Sequence, residues 1–451
     1  MKETLRAKEL VFVASMLFGM FFGAGNLIFP VYMGQMAGSN VWQAIVGFVI
    51  TGVGLPLLGV AALGLSRQES LFDLSSKVGR KYGYFFTCAL YLTIGPCFAI
   101  PRCATVSFTV GAAPLLENGG NPLFLGIFSL VFFALTLTLS FRPSKILTWV
   151  GKVLNPVFLV FLGILVVKAL LSPMGSVGAI APDAAYETGA FFTGFREGYQ
   201  TMDALAGLAF GIVVVNAIRD LGITKPDAVA KNTVTSGVFS CLLMALIYLM
   251  VTIVGAQSRG VYPLCENGGE ALALIAEHYF GTVGALLLAV TVTLACLKTA
   301  VGLVTSCSEA FVTMFPKGPR YQVWAVIFSV VSFLIANLGL STIIEYAVPV
   351  LMFLYPLAIT LILLALFGRF FGNDQRVYDW VTGCTLVAAL LDFLGALPAA
   401  AQAALHLSPL LAAAKEILPF FSLGFGWICP ALIGLVIGLI HSKAKKRPTA
   451  A

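Results

Sequence analysis

The chain has 451 residues, 59% of them hydrophobic and only 10% charged, with 27 lysines and arginines against 20 acids. Its mean hydropathy is +0.97. That balance excludes a soluble globular protein and points to a polytopic membrane protein. The basic excess is scattered over loops without aromatic interleaving, which excludes a nucleic-acid-binding face.

Twelve apolar stretches are each long enough to cross a bilayer: 10–33, 41–66, 84–111, 122–141, 146–171, 199–218, 233–256, 282–310, 322–341, 344–367, 379–397 and 418–440. The connections are short, so the expectation is one all-α transmembrane domain over 1–451. The start, Met1–Glu9, is too acidic and the stretch after it too long for a cleaved signal peptide, so the first span is read as retained.

The first span carries an interruption, Phe21-Phe22-Gly23-Ala24-Gly25-Asn26-Leu27-Ile28-Phe29-Pro30. Two glycines and an asparagine weaken helix continuity, and Pro30 cannot donate to the preceding turn. Irregular backbone at membrane depth is tolerated only where it is buried in protein or lines a polar cavity. Secondary transporters build their sites from such broken helices. The alternative is close helix packing through Gly19-x-x-x-Gly23.

Spans one to five (about 10–171) and six to ten (about 199–367) form blocks of similar length. Five is odd, so a second block repeating the first must sit upside down in the membrane. The sixth span opens Gly198-Tyr-Gln-Thr201-Met-Asp203-Ala204-Leu-Ala206-Gly207, again with small residues and an acid. Paired interruptions in two halves point to a transport site, unless Gly207 and Gly211 are only a packing face. The loop 257–281 carries apolar positions at helical spacing over 269–279, expected to form a short surface helix, either a lid or a merely decorative loop helix. Spans eleven and twelve (about 379–440) fall outside the repeat and are read as peripheral.

Cytoplasmic termini leave only Lys168, Arg196, Arg259 and Lys415 outside, with Arg102 and Lys298 within spans; every other lysine and arginine falls inside. The positive-inside rule therefore predicts both ends in the cytoplasm, with the basic tail Lys443–Arg447 anchoring at the anionic leaflet. Eight of nine cysteines lie in or beside spans and no Cys/His spacing suggests a metal. The three histidines fall at loops or ends and are read as solvated. An enzyme is disfavoured, because the spans hold no Ser/His, Cys/His or paired-carboxylate arrangement. A channel is disfavoured because polar groups cluster at two breaks rather than in a continuous ring.

Several motifs, in order and correctly spaced, resemble the bacterial branched-chain amino acid:cation symporters of the amino acid–polyamine–organocation superfamily. They are Phe22-Gly-Ala-Gly-Asn-Leu-Ile-Phe-Pro30, Gly52-Val-Gly-Leu-Pro56, Gly95-Pro-Cys-Phe-Ala-Ile-Pro-Arg102, Thr201-Met-Asp-Ala-Leu205 and Val348-Pro-Val-Leu-Met-Phe-Leu-Tyr-Pro356. The resemblance implies uptake of leucine, isoleucine and valine with a cation, usually sodium, across the bacterial cytoplasmic membrane. It also implies a 5+5 inverted repeat of the leucine-transporter type, with the site between spans one, three, six and eight. The alternative is a proton-coupled or uncoupled carrier of other hydrophobic amino acids. No cofactor is expected beyond a coupling sodium ion or proton.

An amino acid brings a carboxylate, an ammonium and a side chain. Freed N–H groups at a half-helix N-terminus suit the carboxylate, and Gly23, Ala24, Gly25 and Asn26 are the expected donors. Unwound carbonyls around Thr201–Ala206, among them Thr201, Ala204 and Ala206, are expected to take the ammonium, with Asp203 as its acid or as partner of Lys298. An aliphatic pocket, with Phe21 and Phe98 among its expected walls, would select the side chain at about 0.8 kcal/mol per buried CH₂.

By the same resemblance, the cation site draws on carbonyls of Gly19, Phe22 and Ala295 and on positions 298 and 299. Thr299 fits, but Lys298 stands where the family usually has threonine. A lysine there costs about 2.5–3.5 kcal/mol on insertion scales and needs a partner. It lies roughly 16 Å from Glu309 and roughly 24 Å from Thr282, too deep to snorkel. Either its ammonium replaces the cation, or it pairs with Asp203 or another buried acid, or it inactivates the carrier. Arg102 is read as a gate or structural pair, or as a holder of the substrate carboxylate. Cys103 and Thr109 depart from the threonine and glutamate usual in relatives, which removes an acid near it. Asp392 in span eleven is read as scaffold.

Overall fold

The computed structural model describes residues 3–23, 25–66, 68–116, 121–141 and 159–446. The first half comprises α1 (Ala7–Phe21), α2 (Gly25–Ala37), α3 (Val41–Val49), α4 (Leu55–Ser66), α5 (Leu71–Ser75), α6 (Arg80–Leu92), α7 (Ala99–Ser107), α8 (Pro122–Phe141) and α9 (Leu159–Leu171). The second continues with α10 (Ala184–Glu187), α11 (Ala190–Glu197), α12 (Asp203–Asp220), α13 (Pro226–Ser258), α14 (Gly268–Met314), α15 (Tyr321–Ala336) and α16 (Leu340–Phe367). Last come α17 (Gln375–Ala396), α18 (Ala399–Ala404), α19 (Ser408–Ile417) and α20 (Ile428–Lys446).

A helix or helix pair stands at every one of the twelve expected spans. The 146–158 part of the fifth lies outside the described residues. Span twelve begins at Ile428 rather than 418. Phe420 and Gly424 adopt left-handed backbone there, which turns the chain before a helix can start. The expected loop helix forms: α14 kinks at Gly281 (φ 59°), separating 268–280 from the span beyond. Asn267 caps it by accepting from the N–H groups of Gly269 and Glu270. Its face is buried against the first span, since a Cβ on Gly268 would lie 1.8 Å from the Ile28 carbonyl oxygen.

Prolines shape spans two and three. Pro56 cannot donate to the turn before it, and a wide π turn at Ile50–Gly54 absorbs the loss, with Leu55 N–H reaching back to Ile50. Pro96 sits in a second wide turn, Thr93–Cys97, whose Gly95 leaves helical geometry altogether.

Packing between the halves follows a two-fold pattern. After its break the first span (α2) packs on span seven (α13); after its break the sixth span (α12) packs on span two (α4). Both contacts bring backbones together at glycine: a Cβ on Gly34 would sit 2.0 Å from the Thr252 oxygen, and one on Gly207 2.6 Å from the Pro56 oxygen. Gly207 and Gly211 are thus packing positions, and the break in span six lies before them. Gly19 behaves oppositely, with open space where its side chain would be. The Gly19-x-x-x-Gly23 packing alternative therefore fails.

Spans eleven and twelve (α17 and α20) pack on each other, and α17 packs on α16. At one end of the bundle, Lys225 Nζ lies 2.5 Å from the Glu3 carboxylate, and Arg369 pairs with Asp227. The opposite end joins Gly175 to Gly260 and Tyr279 to the Ser172 carbonyl. The cysteines of the described residues are all free, and no cluster there could hold a metal. His278, His406 and His441 are exposed.

Candidate functional site

The break in span one begins where the last regular bond, Phe22 N–H to Phe18 carbonyl, closes α1. Gly23 N–H does not continue to Gly19; it donates to Asn26 Oδ1 at 2.8 Å, leaving the Gly19 carbonyl outside the helical ladder. Asn26 N–H in turn donates to the Gly23 carbonyl. Two of the expected carboxylate donors, Gly23 and Asn26, are thus already engaged within the break. Gly25, which starts α2, has no such partner among the described residues; Ala24 lies outside them.

The break in span six is a single residue. Met202 takes left-handed backbone (φ 60°) between a tight turn ending at Thr201 and helix α12, bending the pair by 44°. Asp203 is the first residue of α12, where a helix N-terminus favours negative charge. The expected row of unwound carbonyls is not there. Ala204 and Ala206 sit inside α12, and Ala206 N–H bonds the Met202 carbonyl.

A polar knot joins the two breaks. Asn26 Nδ2 donates to Asp203 Oδ2 at 2.6 Å and also to the Tyr248 hydroxyl; Tyr248 donates to the same carboxylate oxygen at 3.3 Å. Tyr248 on α13 went unnoticed in the sequence, where it is one hydroxyl in a long apolar run. Arg102 reaches the turn before the span-six break. It is 5% exposed, donates from Nη1 to the Gln200 carbonyl at 2.7 Å, and its guanidinium lies over the Phe29 ring at 4.9 Å. A Cβ on Gly25 would come within 2.9 Å of Arg102 Nη2, so the absence of a side chain lets the cation reach the start of α2.

Among the described residues no carboxylate lies within 4.0 Å of Arg102 or of Lys298. The pairing of Lys298 with Asp203 is therefore not made. Lys298 is half-buried. Thr299 beside it contacts the span-one break, within 4.0 Å of the Gly23 Cβ position, and donates its hydroxyl to the Ala295 carbonyl.

One cavity of about 1160 Å³ takes in Gly19, Phe22, Gly23, Gly25, Asn26, Arg102, Thr201, Asp203, Ala206, Lys298 and Thr299. Ala204 and Ala295 do not line it. Phe21 does and Phe98 does not. The cavity runs from the breaks along α1 to Ala7, so it opens toward the N-terminal end of that helix. It offers one acid, two cations and an apolar wall, and no paired nucleophile and base.

Comparisons with known proteins place this arrangement. The family model described as Branched-chain amino acid transport protein matches residues 6–445. The Branched-chain amino acid permease BrnQ of Lactobacillus delbrueckii subsp. lactis is 51% identical, over 99% of this chain and 100% of that one. The permease BraB of Bacillus subtilis is 41% identical over 98% and 97%. Among solved structures, the inward facing conformation of Mhp1 gives a TM-score of 0.62 at 15% identity, over 97% of this chain and 91% of that chain. MhsT in complex with L-phenylalanine gives 0.58 at 15%, over 99% and 100%. The fold is thus the inverted-repeat transporter fold, and the chain belongs to the branched-chain amino acid transport protein family.

Proposed function

We propose that this protein carries leucine, isoleucine and valine across the bacterial cytoplasmic membrane by alternating access, with both termini in the cytoplasm. The observation that carries the reading is the meeting of two broken spans at one cavity that offers a buried acid and a buried guanidinium. In this reading the substrate ammonium binds Asp203 and its carboxylate lies between Arg102 and the Gly25 N–H at the start of α2. The aliphatic side chain faces the apolar wall. With the N-terminus in the cytoplasm, the cavity is open inward.

Coupling follows from Lys298. Lys298 lines the same cavity as Gly19, whose carbonyl is outside the helical ladder, and no carboxylate among the described residues pairs with it. In our reading the ammonium occupies the position of a coupling cation, so that uptake is independent of sodium and follows the proton gradient or the substrate gradient alone. Leucine uptake into liposomes under separately imposed sodium and proton gradients tests this. Replacing sodium by choline should leave uptake unchanged, and Lys298→Thr should alter the coupling. Strict sodium dependence with an inert Lys298→Thr would refute the lysine's role and leave transport standing. Counterflow of labelled leucine separates a carrier from a channel.

A further inference from the structure

Spans three and eight run antiparallel in close contact beside the cavity. At one end a Cβ on Gly111 would lie 3.5 Å from Ala289 Cα, and at the other a Cβ on Gly95 would lie 2.8 Å from Cys307 Sγ. Between those points Cys103 of α7 meets Cys296 of α14, and their thiols lie in hydrogen-bonding contact. Both cysteines are free. Ser107, whose hydroxyl donates to the Cys103 carbonyl at 2.8 Å, also neighbours the Cys296 thiol.

The two thiols differ in access. Cys103 lines the central cavity, whereas Cys296 is fully buried and does not reach it. A small oxidant entering the cavity therefore meets Cys103 first, with a second thiol behind it to resolve the product. The Arg102 guanidinium is the charged neighbour of both thiols. Positive charge favours the thiolate, which is the attacking form. Threonine, the usual residue at position 103 in the family, cannot form such a pair.

We infer that Cys103 and Cys296 form a modification site for hydroperoxides, closed to a disulfide from the cavity side with loss of uptake. The Cys103 thiolate attacks the terminal peroxide oxygen and the O–O bond breaks, leaving a sulfenic acid. The proton Cys103 gave up leaves with the alkoxide as an alcohol, or as water when the oxidant is hydrogen peroxide. Cys296 then attacks the same sulfur, the S–O bond breaks, and the hydroxide leaves with the Cys296 proton as water. Two thiols are oxidised and one peroxide is reduced. Replacing a thiol contact by a covalent bond draws α7 and α14 together. Arg102 adjoins Cys103, and Lys298 and Thr299 follow Cys296 within one turn, so closure shifts side chains on two walls of the cavity.

Leucine uptake into proteoliposomes, measured before and after hydrogen peroxide and again after dithiothreitol, tests this together with mass spectrometry of unreduced peptides. Wild type should give a peptide pair joining Cys103 to Cys296, short of two hydrogens. Its uptake should fall about tenfold, as for one loosened charged contact, and recover on reduction. Cys103→Thr and, separately, Cys296→Ser, each compared with its own untreated uptake, should resist peroxide. Wild type without the linked peptide, or an equal fall of uptake in both variants, overturns the inference and leaves the transport reading standing. The loss of uptake rests on that reading, but the cross-link does not: a chain that carries no leucine yet yields the linked peptide refutes transport and supports the thiol site.

Discussion

The two breaks are related by the repeat yet built differently. The first spreads over Phe22 to Gly25 and closes on itself through Gly23 and Asn26; its N–H groups are partly engaged and its Gly19 carbonyl is released. The second is one residue, a methionine in left-handed backbone, a conformation that costs about 1–3 kcal/mol and persists only where surroundings over-determine it. Met202 is 2% exposed, so packing holds it there. The difference teaches a division of labour: glycine gives the first break close access to Arg102, while the second positions one acid rigidly at a helix start.

Four substitutions would break or sharpen that contrast. Asp203→Asn removes the single acid of the central cavity and should lower leucine uptake about 100-fold, in line with about 1.5–3 kcal/mol for a charged hydrogen bond; uptake within threefold of wild type would remove the second break from binding. Gly25→Ala drives a methyl against Arg102 Nη2 and Phe29, and about a tenfold loss of uptake is expected. Tyr248→Phe leaves Asn26 on Asp203 but deletes the third member of the knot. Its expected signature is a rise in KM of about fivefold with little change in maximal rate, near 1 kcal/mol for one hydrogen bond.

The smallest effect belongs to the surface. Glu3 sits below its ordinary value of 4.5 because Lys225 hydrogen-bonds its charged form. Its contribution is therefore present at neutral pH and fades as pH falls through the lowered value. Both side chains are exposed, so Glu3→Gln should shift the melting temperature by less than about 1 °C at pH 7 and leave transport alone.

Much of the fold was legible because spans are written in hydropathy. Gly23, Gly25 and Asn26 announce the first break, since such residues weaken a helix wherever they stand. The second was located through its acid, but its form was not: Met202 has no propensity for left-handed backbone, and only packing imposes it. Depth alone reads Arg102 as a gate or structural pair, or as a holder of the substrate carboxylate; its bond to the Gln200 carbonyl and its approach to the start of α2 join helices distant in sequence. The partners of Tyr248 belong to tertiary contacts, which local sequence does not encode.

The central claim is that both charges of a zwitterion are held where the breaks meet. It is tested most directly by inhibition of labelled-leucine counterflow with two fragments, isoamylamine without the carboxylate and 4-methylpentanoate without the ammonium. Each should inhibit at least about tenfold more weakly than leucine, for the loss of one charged contact. Equal inhibition by either fragment would contradict the account.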